Sequence, residues 1–533
     1  MSVNPGEVLG AFVADLTYDD LPERVRERVT AILLDTVASA VAGRHGDETA
    51  QIQALARNVA GSGQSTVLGS STKLAPAGAA LVNGYQVTAV TVCDVFRHAL
   101  CHVTPQAVPP ALAVAEERDV TGKQLIAGVA AGLETTVRIG YGIHYEAFRK
   151  RGWHSPGVIG PFGGAAAAGN IMGLDAMQMR NAFGLAGSQA AGTFAHWGTP
   201  TIKFHQSRGS LSGLLAANLA EQDFLSAADI INNEDGGLFH AYSDGGDPAR
   251  VVDKLGEQWD LEVIALRRWP AASSIQVMIT ALFALVESGR FEVDDVEHVD
   301  VELSETVYKL HGSLPWDTKF SAQLSAPYLT SVILHDKACW LDQFQPERIS
   351  KDDVGTFARN KVNVSAAADL AGTASRITVT LTDGTVIADE RAIAKGDPED
   401  FPTLDEIVGK FREASRGLIT DDKVEQAITG FTDIENVDSV AQLLTSVVGN
   451  DACWCADANR HRGLIALPAG GRQPLVVARS VEDGQHVCSG RVGRRCLCSA
   501  RRGPGRNQGH CGGHRTGADD APGTRRPGAA RQP

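Results

Sequence analysis

Hydrophobic residues near the N-terminus recur with the period of an α-helix. Val25, Val29 and Ile32 are three or four positions apart, so on a helix they share one face. Asp20 and Gly43 supply a start and a stop for this pattern. Similar patterns, most of them rich in Ala and Gly, follow over 76–91, 106–118, 121–139, 175–187 and 208–222. The first 265 residues are therefore predicted to be almost entirely helical.

The pattern changes from helical periodicity to alternation beyond residue 265. Val299 and Val301 alternate with polar residues, which is typical of a half-buried strand. A second alternating run over 377–381 precedes an Asp-Gly pair at 383–384, and a further strand-like run follows it. Asp-Gly between two alternating runs predicts a β-hairpin. This region is therefore predicted to be α+β.

The order of these patterns predicts a mainly α fold with an inserted α+β domain. Helical periodicity returns after residue 402, so the helical domain takes 1–265 and 401–450, and the α+β lid domain takes 266–400. Residues 451–533 contain 14 Arg, no Lys, 6 acidic residues and neither Phe nor Tyr. Such a composition cannot bury enough apolar surface to offset its ordering entropy. We predict that this tail is disordered, and its origin in out-of-frame coding is a hypothesis that resequencing would test.

Charge separates the two parts of the chain. The net charge of −14 combines about +8 in the tail with about −22 over residues 1–450. An acidic chain is a poor partner for nucleic acid or for an anionic membrane, so neither is predicted. The body has three cysteines, no apolar run of membrane length and no basic leader, which favours a cytoplasmic protein without disulfides. An anionic substrate would need a local basic pocket.

Histidines mark two candidate sites in the helical region. Asp94, His98 and His102 are four positions apart, so on a helix they would share one face. We interpret them as an active-site edge, and a metal site is the alternative. His154 lies in a Gly/Ser/Pro-flanked loop before an apolar helix, where an imidazole can transfer protons near neutral pH. A helix-capping histidine is the alternative interpretation there.

Two clusters of cations are candidates for binding carboxylates. Lys203, His205 and Arg208 place up to three positive charges within six residues, and the alternative is a solvated face. Arg267 and Arg268 precede Trp-Pro at the predicted domain junction, where ligand sites often lie. The cysteine spacing of the tail does not match zinc sites, so no metal is predicted. The glycine-rich run over 157–173 lacks the Gly-Lys-Ser/Thr of a phosphate loop and is predicted to be a tightly packed helix.

Six segments together resemble, in order and spacing, the MmgE/PrpD family of 2-methylcitrate dehydratases, cis-aconitate decarboxylases and iminodisuccinate epimerases. They are the first amphipathic helix, the Asp-x₇-His element, the Trp-His-x-Pro-Gly loop, Lys-Phe-His with Ser-x-Ser-Gly, Arg-Trp-Pro, and Leu-Ser-x-Pro-Tyr. The resemblance covers about residues 5–448. It implies a helical domain built from both chain ends, an inserted α+β domain, a homodimer, and no metal or organic cofactor.

The resemblance also implies roles for single residues. The predicted catalytic residues are His102, His154, Lys203 and Tyr328. The predicted substrate-binding residues, from the resemblance and the charge clusters together, are Asp94, His98, His205, Arg208, Arg267 and Arg268. Val92 stands where members often carry an acid, Phe96 stands where they carry Thr, and Arg267 replaces a family Lys. Lys203 matches the family Lys with an offset of one residue.

The predicted activity is that of a cofactor-independent hydro-lyase similar to 2-methylcitrate dehydratase. It would remove a proton next to a carboxylate of a small di- or tricarboxylic acid, with loss of water. Decarboxylation of the cis-aconitate type and epimerisation of an aminodicarboxylate such as iminodisuccinate remain alternatives, because all three need a stabilised carbanion beside a carboxylate. A non-catalytic paralogue that serves as a binding or scaffold dimer is a further alternative, which the departures at Val92 and Arg267 favour.

Overall fold

Helices account for most of the computed structural model, which describes residues 4–313 and 315–450. The predicted disordered tail lies outside the described residues. The helices before residue 265 are α1 Pro5–Asp15, α2 Glu23–Ala42, α3 Thr49–Ala60, α4 Pro76–Ala89, α5 Thr104–Arg118, α6 Gly122–Gly142, α7 Tyr145–Lys150, α8 Ser155–Val158, α9 Gly160–Met172, α10 Ala176–Ser188, α11 Thr201–Glu221, α12 Leu238–Tyr242 and α13 Pro248–Val252. Short strand pairs, β1 Ser65–Thr66 with β2 Lys73–Leu74 and β3 Asp94–Val95 with β4 Ala265–Leu266, lie between them. None of the described helices combines the length and apolar character that a membrane crossing requires.

Helix α9 lies at the centre of the helical region. A Cβ atom added at Gly163 would stand 1.9 Å from Oγ1 of Thr136 and 2.7 Å from the carbonyl oxygen of Gly132. Because α6 approaches α9 so closely, no side chain larger than hydrogen fits at Gly163. The prediction of a tightly packed helix in the glycine-rich run is confirmed.

The two ends of the described chain share one hydrophobic core. After the α+β region the chain returns as α20 Leu404–Ser415, α21 Asp421–Thr432 and α22 Val440–Leu444. Phe411 and Phe431 from these helices are buried in the same core cluster as Val29 and Ile32 of α2. The apolar stripe of α2 is therefore covered partly by residues almost 400 positions away.

The α+β region has a separate core around a four-stranded sheet. Its helices are α14 Gln276–Glu287, α15 Glu305–His311, α16 Lys319–Ala322, α17 Ala326–Asp336, α18 Pro346–Ile349 and α19 Asp352–Lys361. Its strands are β5 Val296–Leu303, β6 Val362–Ala366, β7 Ser375–Leu381 and β8 Val386–Arg391, in the order β6-β5-β7-β8. Strand β5 is parallel to β6 and antiparallel to β7, and Val299 lies opposite Val379. The predicted hairpin at 383–384 is confirmed, since the N–H of Leu381 donates to the carbonyl of Thr385 across the turn.

Hydrogen bonds and an ion pair join the α+β region to the helical region. Nε of Arg97 donates to the carboxylate of Asp397 at 2.8 Å. Nζ of Lys319 donates to the carbonyl of His45 at 2.7 Å, and the amide of Gln323 donates to a backbone carbonyl of the segment after α4. Segment 319–323 therefore lies directly against the helical region.

Two sequence-based predictions of local structure are wrong. Residues 94–102 do not form a helix; they form β3 and a turn closed by a bridge between Phe96 and Cys101, with Leu100 at a positive φ of 42°. Helix α5 begins directly after this turn at Thr104, and Pro105 lies in its first turn, where proline is well tolerated. Helix α11 begins at Thr201 rather than near residue 208, so the predicted basic cluster belongs to its first turns.

Candidate active site

Asp94 organises the turn that carries His102. Its buried carboxylate accepts hydrogen bonds from the N–H of Val103 at 2.7 Å and from the N–H and hydroxyl of Thr104 at 3.1 and 2.6 Å. These bonds cap α5 and lower the pKa of Asp94, but burial has the larger effect and raises that pKa to about 6. Nδ1 of His102 lies 2.5 Å from the carbonyl oxygen of Asp94, which can only accept. His102 therefore carries its proton on Nδ1, and Nε2 is its basic nitrogen.

His154 and His205 form a direct imidazole pair. Their Nδ1 atoms are 3.2 Å apart, so one ring donates and the other accepts. His154 precedes the short helix α8, and His205 lies in the second turn of α11. Burial lowers the pKa of His205 to about 4, and burial with the charges of His205 and His102 lowers the pKa of His154 well below its usual value. The pair is therefore neutral at pH 7.

Lys203 and Arg267 bring positive charge into the same buried region. Nζ of Lys203 donates to the carbonyl of Ala89 at 2.6 Å, and burial lowers the pKa of this amine to about 8. Arg267 donates to the carbonyl and the sulfur of Cys93 at 2.6 and 2.9 Å and to the carbonyl of Ala271 at 3.2 Å. Three of its five N–H groups are thus used by neighbours within the described residues, and two remain for a ligand.

The charges of these side chains act on one another's pKa. Burial and then the charge of Arg267 lower the pKa of His102 to about 3, and Arg267 also lowers the pKa of Lys203. We call His102, His154, Lys203, His205 and Arg267 the histidine–cation group. Two cations and three neutral imidazoles suit an anionic ligand, although the carboxylates of Asp94, Asp47 and Glu48 lie nearby and reduce the local positive charge.

Tyr328 and Arg208 both donate hydrogen bonds to backbone carbonyls outside this group. The hydroxyl of Tyr328 donates to the carbonyl of Gln343, and its ring is buried beside Phe344 in the core of the α+β region. The guanidinium of Arg208 donates to the carbonyls of residues 157, 189 and 191. The catalytic role of Tyr328 and the substrate-binding role of Arg208 both stay predictions.

His98 and Arg268 lie at the edges of the site. The exposed His98 packs its ring against Phe96 and Tyr141. The half-buried Arg268 lowers the pKa of the Cys339 thiol by its charge, although burial raises that pKa more. The substrate-binding roles of these two residues also stay predictions.

Sequence reasoning missed a buried ion pair beneath the group. Nζ of Lys410 in α20 donates to the carboxylate of Asp35 in α2 at 2.6 Å, and to the carbonyls of Val92 and Arg267 at 2.8 and 3.1 Å. The available signal was a lysine directly beside the buried Phe411 on the apolar face of an amphipathic helix. The pair fixes the backbone from which Arg267 extends.

One small cavity touches the site, and a larger groove lies away from it. The smaller, about 20 Å³, lies at the contact of the two regions and is lined by Asp47, Glu48, Ala89, Pro200, Lys203, Lys319, Phe320 and Gln323. A groove of about 750 Å³ on the outer side of α2 includes Arg24, Arg28 and Glu262 and contains no member of the histidine–cation group. Within the described ranges no three His, Cys, Asp or Glu side chains are placed to share a metal ion. The smaller cavity reaches Lys203.

We expect the protein to lose stability as the pH falls from 7 towards 4. An unfolded chain protonates its histidines near pH 6.5, whereas the pKa of folded His102 is about 3 and that of His311 about 4. Between these values the unfolded state binds more protons, so the free energy of unfolding decreases with decreasing pH. Urea unfolding at pH 7, 6 and 5 checks this. His102→Asn should show a shallower decrease than wild type, and an equal or higher midpoint for wild type at pH 5 would contradict it.

Comparison with known proteins places this chain in a family. The family model described as MmgE/PrpD N-terminal domain matches residues 7–251, and the MmgE/PrpD C-terminal domain matches residues 269–434. The chain belongs to the MmgE/PrpD family. Its two-domain, mostly helical architecture with a small mixed sheet in the second domain agrees with this membership.

Relatives of this MmgE/PrpD protein include fungal and animal proteins. A cis-aconitate decarboxylase-like protein of Aspergillus oryzae is 27% identical over 464 residues, covering 82% of this chain and 96% of the relative. Cis-aconitate decarboxylase of Aspergillus terreus is 25% identical, covering 82% and 95%. The human cis-aconitate decarboxylase is 23% identical, covering 83% and 94%. The relatives are enzymes named for decarboxylation, and they align along nearly their whole length.

Proposed function

We propose that this protein is a cofactor-independent decarboxylase of a small unsaturated polycarboxylic acid, of the cis-aconitate type. The observation that carries the proposal is the histidine–cation group, a buried set of imidazoles and cations suited to a carboxylate-rich substrate. Similarity to decarboxylases over more than 80% of the chain supports this alternative over the predicted dehydration. Dehydration of a 2-methylcitrate-like acid is the second candidate, favoured by the family membership alone.

The chemistry follows from the charges of the group. Arg267 and Lys203 hold two carboxylates of the substrate as ion pairs. The C–C bond to a third carboxylate breaks, CO₂ leaves, and the bonding electron pair remains on carbon, delocalised towards a neighbouring carboxylate held by Arg267. His102 or His154 then supplies the proton that forms the new C–H bond. Proton transfer by a positioned group accelerates such a step by roughly 10²–10⁴-fold.

Substrate binding would also prepare the proton donor. Burial and the charge of Arg267 hold the pKa of His102 at about 3. A bound polycarboxylate brings negative charge close to the imidazoles, and an opposite charge within about 4–6 Å stabilises the protonated form. The pKa of the imidazole that donates the proton therefore rises when the anion binds. Its protonated form is then populated while the substrate is in the site.

A substrate panel with three separate readouts tests the proposal. The panel comprises cis-aconitate, citrate, 2-methylcitrate and aminodicarboxylates, with ¹³C-labelled carboxyl groups where decarboxylation is tested. Release of ¹³CO₂ is the expected result. Ultraviolet absorbance of a new unsaturated acid without CO₂ would establish dehydration instead, and inversion seen by chiral chromatography would establish epimerisation. Binding by calorimetry without any turnover would favour the non-catalytic paralogue.

Arg267→Lys is expected to raise KM about 10- to 100-fold, since a charge-assisted hydrogen bond contributes about 1.5–3 kcal/mol. Lysine keeps the positive charge but lacks the planar guanidinium of arginine. That guanidinium bonds Cys93 and Ala271 and has further N–H groups for a carboxylate. Steady-state kinetics on the substrate found by the panel measure the change. Arg290→Lys, at an exposed position, is the control. An unchanged KM in Arg267→Lys would show that Arg267 does not bind the substrate.

A further inference from the structure

An exposed segment crosses the outer side of the His154–His205 pair. We call residues 189–200 the strap. The N–H of His154 donates to the carbonyl of Gly192 at 3.0 Å, and the N–H of Phe194 donates to the carbonyl of Gly152 at 2.7 Å. The guanidinium of Arg208 holds the start of the strap through two of its carbonyls. The strap is therefore attached to the residues that flank His154.

The strap carries a third histidine to the pair. The ring of His196 lies edge-on to that of His205, with centroids 5.6 Å apart and planes at 81°. His205 in turn meets His154 at 3.2 Å between Nδ1 atoms. His196 is exposed, whereas His205 and His154 are 7% and 5% exposed. The three imidazoles thus form a continuous series from solvent into the buried site.

Aromatic stacking holds His196 in this position. The rings of Phe194 and Trp197 are parallel within 7°, with centroids 5.2 Å apart. The guanidinium carbon of Arg149 lies 3.4 Å from the centroid of the Phe194 ring. Because residues 194 and 197 flank His196 and are stacked, the strap presents His196 towards His205 in one arrangement.

Decarboxylation needs a supply of protons that dehydration and epimerisation do not need. The C–C bond to a carboxylate breaks, the electron pair takes up one proton, and neutral CO₂ leaves, so each turnover consumes one proton from solvent. A dehydration returns its proton in the water it releases, and an epimerisation returns the proton it removes. A buried decarboxylating site must therefore be connected to solvent by groups that accept and donate protons.

We propose that His196, His205 and His154 form the proton relay of this enzyme, an inference that rests on the proposed decarboxylation. As Nε2 of His154 gives its proton to the substrate carbon, Nδ1 of His154 takes the Nδ1 proton of His205, so His154 stays neutral. His205 takes a proton at Nε2 from His196, directly or through one water, and His196 takes a proton from solvent. The net transfer is one proton from solvent to carbon. It leaves His154 protonated on Nδ1 and His205 protonated on Nε2, and both rings regain their starting tautomers by proton exchange with water after the product has left. His196 and His205 do not touch the substrate; they deliver the proton to His154 and are positioning residues in that sense.

The groups around the His154–His205 pair keep it neutral. The charged or titratable groups that act on the pair are Arg149 and His102 at His154, and Arg208 and His196 at His205. All of them disfavour a resident positive charge. A proton is therefore not stored on the pair.

The relay is tested with His196→Asn and with His144→Asn as matched control, since His144 is also exposed and lies against Asp244 rather than the pair. We expect His196→Asn to lower kcat about tenfold, less than the loss of a group that protonates the substrate itself. The solvent deuterium isotope effect on kcat should increase, and free imidazole in the buffer should restore the rate. A rate and isotope effect equal to those of wild type would overturn the proposal. So would a loss that imidazole does not restore, because that loss would mean a purely structural role.

A second measurement separates failure of the relay from failure of the proposed function. If wild type releases no CO₂ from any acid in the panel, the proposed decarboxylation is wrong. The relay is then tested by a measurement that does not need turnover. Exchange of the His154–His205 proton with water is then measured by NMR on ¹⁵N-histidine-labelled protein. We expect exchange to be slower in His196→Asn than in wild type and in His144→Asn. Equal exchange in all three would overturn the relay.

Discussion

Lys410→Met is expected to lower the free energy of unfolding by about 3–5 kcal/mol, because it leaves a buried carboxylate without its partner. The side chains of Lys410 and Asp35 are both 3% exposed, and their charged atoms are 2.6 Å apart. The substitution also removes the donor to the carbonyls of Val92 and Arg267. Urea unfolding at pH 7 measures the change.

The double variant Asp35→Leu/Lys410→Met separates two causes of the stability loss in Lys410→Met. One is the lost attraction between the two charges, and the other is the buried carboxylate left without a partner. Replacement of a whole buried ion pair by apolar residues is often close to neutral, so the double variant should recover most of the stability lost by Lys410→Met. Lys309→Met is the control, since its pair with Glu305 is exposed and is expected to contribute about 0.3–0.5 kcal/mol. A loss below about 1 kcal/mol in Lys410→Met would contradict the expectation.

His154→Ala is expected to lower kcat by about 10²–10⁴-fold, because it removes both a candidate proton donor to the substrate and the end of the relay. The affinity for a non-reacting tricarboxylate should change little, since the proposed mechanism assigns the carboxylates to Arg267 and Lys203. Steady-state kinetics and calorimetry measure the two quantities on the same preparation.

His154→Asn controls for packing around the lost ring. Asn keeps a hydrogen-bonding group near His205 but cannot carry a proton at neutral pH, so turnover should remain as low as in His154→Ala while stability recovers. His144→Ala, at an exposed position, should behave as wild type. Full activity in His154→Asn would exclude proton transfer by His154, and unchanged behaviour of His154→Ala throughout would favour a non-catalytic paralogue.

Local patterns predicted the elements but not the turn at the site. The alternation at Val299 and the Asp-Gly pair at 383–384 predicted a strand and a hairpin, and both are confirmed because each depends on near neighbours in the chain. The spacing of Asp94 and His102 also fits a helix. There the buried carboxylate instead caps α5, and that bond to Val103 and Thr104 outweighs the helical spacing.

The sequence by itself determined the succession of helices and strands and the places where histidines and cations are concentrated, because periodicity and local charge are properties of neighbouring residues. Only the tertiary structure decided which of these groups meet. Lys410 reaches Asp35 across 375 positions, Arg267 reaches Cys93 across 174, and His154 reaches His205 across 51. The charge state of each buried group depends on such distant partners and on its burial, and neither is encoded in a local pattern.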